Sequence, residues 1–333
     1  MGHLRDPLIK LEEVLHYASR SSDGLLVLHL PTPDALSSLF FLRIGAFELG
    51  LPLSSTPCLP EDVLFAIENA PSRDRVLLLL GLTPFGPGPV QVASELFDLV
   101  VVLDRVSYYP PQIRQFSEVI AVSAPLSEVA MFVVRRMSRG LEGLDWIGRI
   151  GGAGLRGALG DSSDPSLRAY ELILHACFID PEISSTVAPA ALEEAWDEPE
   201  VLLSGVGTLS GALSALAEKG FAKLRQAVES SPHREAGLPV WFVDNPWERW
   251  AIAEAAAAAT GGPSAAAYDD GVTVRATAVD SGGMLDIESA ASLTRKVRGS
   301  VLGTRYRVEI SARPDDLAEV LSALTRPSIP RHP

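Results

Sequence analysis

The sequence predicts an α/β protein: a larger domain on a parallel sheet, then a smaller α/β domain, the two joined by a helical linker. Three observations predict it. A buried-strand segment at 25–30 and aliphatic runs at 76–80 and 99–103 alternate with segments of helical period; strands apolar on both faces belong to parallel sheets covered by helices on each side. From about Leu167 to Ser230 the pattern is helical throughout. A second strand and helix alternation begins at Val240. The boundaries that follow are 1–182 for the first domain, 183–238 for the linker, 239–326 for the second domain and 327–333 for a Pro-rich tail expected to fray.

The elements follow in order. Residues 7–19 carry apolar side chains at helical spacing behind Pro7. The strand at 25–30 runs into Pro31-Thr32-Pro33-Asp34, then a helix over 35–48 closed by Gly50. Helices are expected at 61–69, 90–96 and 127–138, with a short fourth strand at 119–122. The helical region reads as 166–178, 189–196 and 210–230. Beyond it come strands at 240–243, 272–278 and 306–310, and helices at 247–260, 287–297 and 314–324.

Composition narrows the function. With 333 residues and 47% hydrophobic content, there is enough apolar side chain for two cores. No run of about 18 apolar residues marks a membrane span. The N-terminus does not read as a secretory signal, and two cysteines, Cys58 and Cys177, form neither a disulfide framework nor a zinc spacing. A reducing cytoplasm is the expected compartment. The formal net charge of −14 argues against a broad basic face for nucleic acid. Residues 271–333, with nine Lys and Arg against seven Asp and Glu, are the mildly basic exception.

In parallel sheets, ligands sit beyond the carboxyl ends of the strands. Four segments are candidates for that place. The first is His29-Leu30-Pro31-Thr32-Pro33-Asp34. The second is Gly81, directly after the run 76–80. The third is Asp104-Arg105-Val106. The fourth is Gly157-Ala158-Leu159-Gly160-Asp161-Ser162-Ser163-Asp164.

This order of elements and segments resembles the DHH phosphoesterase superfamily, which includes the RecJ exonucleases. The resemblance implies four motifs: His-x-Asp-x-Asp-Gly, a lone Asp, Asp-His-His, and an Asp in a Gly-rich turn. Together they hold two divalent ions that activate water for phosphodiester cleavage, chemistry that needs several carboxylates and imidazoles converging. Here His29, Asp104 and Asp161 stand in register, and Asp34 lies one residue beyond the motif's second acid. Pro31 and Pro33 replace the two aspartates, Gly81 replaces the lone one, and Arg105 brings a positive charge to the place of a histidine. Each survivor also has a plain structural reading as a turn or capping residue. Residues 239–326 resemble the family's partner domain, DHHA1, with Gly303-Thr304-Arg305 where the family has Gly-Gly-His.

By this resemblance the chain sits in the branch that lost its metal ligands, typified by archaeal homologues of cell division control protein 45. The implied function is non-catalytic: a DNA replication factor, cofactor of the replicative helicase assembly, with GINS and MCM subunits as partners and no metal or other cofactor. The alternative is a weak single-strand exonuclease or small-nucleotide phosphodiesterase with a weakly held Mn or Mg. Arg275, Arg295, Lys296, Arg298, Arg305 and Arg307 form a candidate groove for single-stranded DNA; an equally good reading is a solvated helix end beside alternating strand faces. Trp241, Trp247 and Trp250 are either a base-stacking platform or core. The glycines of 151–157 lack the strand and helix context of a dinucleotide fingerprint. No P-loop, nucleophile elbow or His-Glu-x-x-His motif is present.

Overall fold

The computed structural model describes residues 7–20, 24–70, 76–138, 141–156, 163–294, 296–297 and 299–325. Internal contacts divide the chain into two units. Unit 1 comprises Met1–Arg105 and Pro111–Gly220; unit 2 comprises Val106–Pro110 and Phe221–Pro333.

Unit 1 opens with α1 (Pro7–Ser19), β1 (Leu25–His29) and α2 (Pro33–Glu48), followed by β2 (Leu53–Pro57), α3 (Val63–Glu68) and β3 (Val76–Leu80). Next come α4 (Gly88–Leu96), β4 (Leu99–Asp104), β5 (Glu118–Ala121), α5 (Leu126–Met137) and α6 (Asp145–Arg156). The helices α7 (Pro165–Ile179), α8 (Pro181–Glu194), α9 (Pro199–Ser204) and α10 (Thr208–Glu229) complete the run. The sheet is parallel in the order β2-β1-β3-β4-β5. Every residue of β1 and β3 is buried, as expected of strands covered on both faces. Each such Leu or Val removed from water stabilises the fold by about 1.5–3 kcal/mol.

The edge strand β2 is an addition to the expected set. Its sequence, Leu-Ser-Ser-Thr-Pro, is polar and ends in proline, so no aliphatic run announces it; proline is tolerated because the strand lies at the edge. The glycine stretch beginning at Gly151 is partly helical, within α6. Gly148 and Gly151 are needed for packing: a Cβ would lie 2.5 Å from Met131 Sδ at the first and 1.7 Å from Asp34 Oδ1 at the second.

The segment 183–238 does not form a separate linker. α8 packs on α2, α7 and β2, and α9 on α7 and α8, so both are part of unit 1. The division between units falls inside α10, after Gly220. There α10 crosses α7 so closely that a Cβ on Gly220 would lie 1.8 Å from the His175 carbonyl oxygen. At its start, the Glu194 carboxylate accepts the backbone N–H groups of Thr208, Leu209 and Ser210 and the Ser210 hydroxyl, which holds its pKa below the usual value.

Unit 2 contains β6 (His233–Glu235), β7 (Leu238–Phe242), α11 (Arg249–Thr260), β8 (Ser264–Asp269), β9 (Val274–Val279), α12 (Ile287–Thr294), β10 (Ser300–Gly303), β11 (Arg307–Ala312) and α13 (Leu317–Thr325). Its sheet runs β10-β11-β9-β8-β7-β6, with β7 and β8 parallel and the other neighbours antiparallel. Val240, Ala276, Val308, Ile310, Val320 and Leu321 lie at the centre of its core. The strands β6, β8 and β10 were not expected from the sequence. β8 hides because its Ser-Ala-Ala-Ala-Tyr-Asp follows an alanine helix and alanine is a poor strand signal. β6 and β10 are only three and four residues long. The segment Val106–Pro110 belongs to unit 2 because Gly303 N–H donates to Tyr108 O and both Ser107 and Tyr108 N–H donate to Gly303 O.

Candidate functional site

Parallel register brings the expected positions to one end of unit 1. His29 at the end of β1 pairs with Leu80, Leu80 with Leu103, and Asp104 follows. His29, Gly81 and Asp104 therefore sit at the carboxyl ends of three adjacent strands.

The prolines of the first segment have backbone work. Thr32 N–H donates to Leu30 O at 2.8 Å across Pro31, a tight turn that suits a fixed φ near −65°. Thr32 then caps α2 by accepting Ala35 N–H, and Pro33 occupies the first helical position, where an N–H is not required.

Asp34 is committed to the packing of three helices. Its carboxylate accepts Ser127 N–H at 2.9 Å and Leu126 N–H at 3.1 Å, the open amides at the start of α5. It lies against Gly151 of α6, and Arg105 Nη1 approaches Oδ2 to 3.8 Å. Ser127 extends the arrangement: its hydroxyl donates to Gly148 O and accepts Gly151 N–H. Asp104, 4% exposed, accepts the Thr83 hydroxyl at 2.7 Å on one oxygen and Arg105 N–H at 2.7 Å on the other. Gly81 adopts φ +62°, where a side chain is strained, and its N–H donates to Leu103 O. His29 is fully buried. Burial pushes its pKa down to about 4, with the Arg43 charge adding to the effect and the Leu30 carbonyl opposing it, so the ring is neutral at pH 7. Its Nε2 has no hydrogen-bond partner among the described residues.

No family model and no curated protein matches this chain. Solved structures do. RecJ in complex with Mn2+ from Thermus thermophilus superposes with a TM-score of 0.57 at 14% identity, covering 96% of this chain and 54% of that one. The DHH domain of a member of the S1p family of ribosomal proteins gives 0.58 at 14% identity, covering 96% and 89%. The chain has the DHH, RecJ-like fold. CDC45 from Entamoeba histolytica also matches, with a TM-score of 0.49 at 12% identity over 96% and 98% of the two chains. At these identities the likeness is one of fold. The chain spans about half the length of the T. thermophilus RecJ.

Within a DHH-type fold, a divalent-metal pair is the group to test against this donor set. The described residues do not fit it. Both oxygens of Asp34 and of Asp104 already accept hydrogen bonds, and a guanidinium stands beside Asp34. Among the described residues no three His, Cys, Asp or Glu side chains converge as ligands. Asp161 lies outside the described residues; its neighbour Asp164 caps α7 by accepting Ser166 N–H.

Cys58 is a buried free cysteine. Burial, aided by the charges of Asp62 and Glu61, pushes its thiol up to about 12.

Among the described basic positions of unit 2, Arg275 and Arg307 do not lie side by side. Arg275 pairs with Ser311 and Arg307 with Val279, so the two lie four residues apart along the β9 and β11 ladder, about 13 Å. Arg275 donates to Asp270 at 2.7 Å, and Arg307 lies 3.7 Å from Glu309. Arg305 is in the turn after β10, not on β11, so it does not alternate with Arg307. It is exposed, and its guanidinium lies 4.9 Å from the centre of the Tyr306 ring. Lys296 is exposed at the end of α12, and Arg295 and Arg298 lie outside the described residues. Trp241 and Trp250 are 6% and 4% exposed, which makes them core and not a stacking platform. The clasp of Tyr108 on Gly303 was not legible in the sequence. Gly303 itself is the available clue: at φ +130° a Cβ would meet Arg307 O at 2.2 Å.

Proposed function

We propose that this chain is a non-catalytic RecJ-like DNA replication factor that acts by binding, as a cofactor of a replicative helicase assembly with GINS and MCM subunits. One observation carries the non-catalytic part. The carboxylates at the strand ends are consumed by α5 amides, Thr83 and Arg105, and prolines and a glycine stand where further acids are required. A phosphodiesterase of the two-ion kind must present those oxygens to cations. The helicase part is supported by the loss of ligands on a DHH-type fold, the trait of the cell division control protein 45 branch. Arg305 with Tyr306, and Lys296, are the groups available for a displaced single strand.

Two measurements test this. Purified chain with GINS and MCM subunits from the same genome should elute as one complex; separate elution at concentrations on the order of 10 micromolar contradicts the assembly. A manganese-supplemented assay on single-stranded DNA, RNA and dinucleotides should show no turnover. A second reading, a weak single-strand exonuclease or small-nucleotide phosphodiesterase holding one Mn or Mg, draws on His29 Nε2, which has no partner among the described residues. Turnover abolished by Asp161→Ala and by His29→Gln establishes that reading instead.

A further inference from the structure

A cleft of about 690 Å³ opens within unit 2, where the end of α10, the β6 and β7 hairpin and the end of α11 meet. Its lining is mostly apolar. Pro232, Pro239 and Pro263 stand around it with Trp241, whose Nε1–H donates to Ser230 O at 3.2 Å and so fixes the indole. A cleft of this size takes a ligand-sized apolar group. Thr325, the last residue of α13, is part of its wall.

The residues that follow Thr325 are Arg326-Pro327-Ser328-Ile329-Pro330-Arg331-His332-Pro333, which lie outside the described residues. Pro327, Pro330 and Pro333 recur at every third position. A polyproline II helix has three residues per turn, so this spacing puts all three rings on one edge. In that form the segment reaches about 25 Å from Thr325. Pro327 disfavours helix at Arg326, which favours an extended course from the cleft wall onwards.

We propose that the segment 327–333 docks in this cleft as a polyproline II helix, with its proline edge against Trp241 and the prolines of the wall. Such a segment is ordered at little conformational cost, because the helix is preformed and the indole is already fixed. The chain's own segment is the occupant because its point of attachment is in the wall. With no linker to span, its effective concentration is on the order of millimolar, which a foreign segment or a second copy must exceed. The sequence alone lets this tail fray; the cleft supplies a contact to hold it. The inference stands apart from the helicase reading.

Backbone nitrogen relaxation on the full chain tests it at Ser328, Ile329, Arg331 and His332, the residues of 327–333 that carry an amide N–H. Their order parameters should lie above about 0.6, the limit for flexible backbone, and values below it overturn the proposal. Gly262 lines the cleft with nothing within 4 Å of where its Cβ would stand. Gly262→Phe therefore adds a ring at the cleft with no clash at its base, and should drop these order parameters into the flexible range. Pro327→Ala combined with Pro330→Ala should do the same without touching the cleft, and Ser328→Ala, off the proline edge, should not. A tail that stays rigid in Gly262→Phe or in the double alanine variant is held by some other contact, which overturns the proposal. So does an equal loss in Ser328→Ala, or rigidity seen only at concentrations where sedimentation shows a dimer. Circular dichroism checks that Gly262→Phe is folded.

Discussion

Asp34 is the residue whose role depends most on its surroundings. In the sequence it is a displaced acid beside two prolines; in the fold it caps α5, fills the space above Gly151 and faces Arg105. Asp34→Ala removes the cap and leaves a mostly buried guanidinium unpaired, an expected loss of about 2–4 kcal/mol in urea unfolding. An unchanged midpoint would mean that the carboxylate is not structural. His29 makes the second prediction at this scale. Its folded pKa of about 4 lies below the ordinary histidine value of 6.5, so the unfolded chain binds the proton first as pH falls. The stability tied to the neutral ring is complete above pH 6.5 and drains away towards pH 4, by up to about 3 kcal/mol. Between pH 7 and pH 5, His29→Gln should show a fall in stability smaller by about 2 kcal/mol than the parent chain. Equal falls would contradict the buried neutral ring. The sequence itself shows that positions 31, 33 and 81 cannot ligate a cation, because proline and glycine cannot be mistaken for acids. It did not expose what Asp34 and Asp104 bind instead, since those partners are backbone amides and a hydroxyl brought in by tertiary packing.

At the level of elements, hydrophobic runs announced β1, β3 and β4 because those strands are buried on both faces. β2 and β8 escaped because Ser, Thr and Ala carry little strand signal, and their places are set by neighbours in the sheet. The helices read as a linker were also misplaced, since periodicity reveals an apolar face but not which body covers it. α8 turns its face to α2 and β2. The crossing of α7 and α10 gives a test. Gly220→Ala puts a methyl carbon against a backbone carbonyl that cannot rotate away, so the helices must separate. The expected cost is about 1–3 kcal/mol in thermal or urea unfolding. A neutral result would show that α10 shifts freely at this point.

For the whole molecule, the division after Gly220 would tempt an experimenter to express 221–333 alone. That fragment lacks Tyr108, whose carbonyl accepts Gly303 N–H. Amide exchange at Gly303 should therefore be fast in the fragment and protected in the full chain; equal protection would show that β10 holds its edge unaided. The main chain leaves unit 1 after Arg105, returns at Pro111 and leaves again after Gly220, so three peptide connections join the units. A protease nick after Gly220 cuts the main chain into 1–220 and 221–333, yet leaves residues 106–110 of unit 2 on the first fragment. Parting the two fragments then requires breaking the hydrogen bonds that Ser107 and Tyr108 make with Gly303.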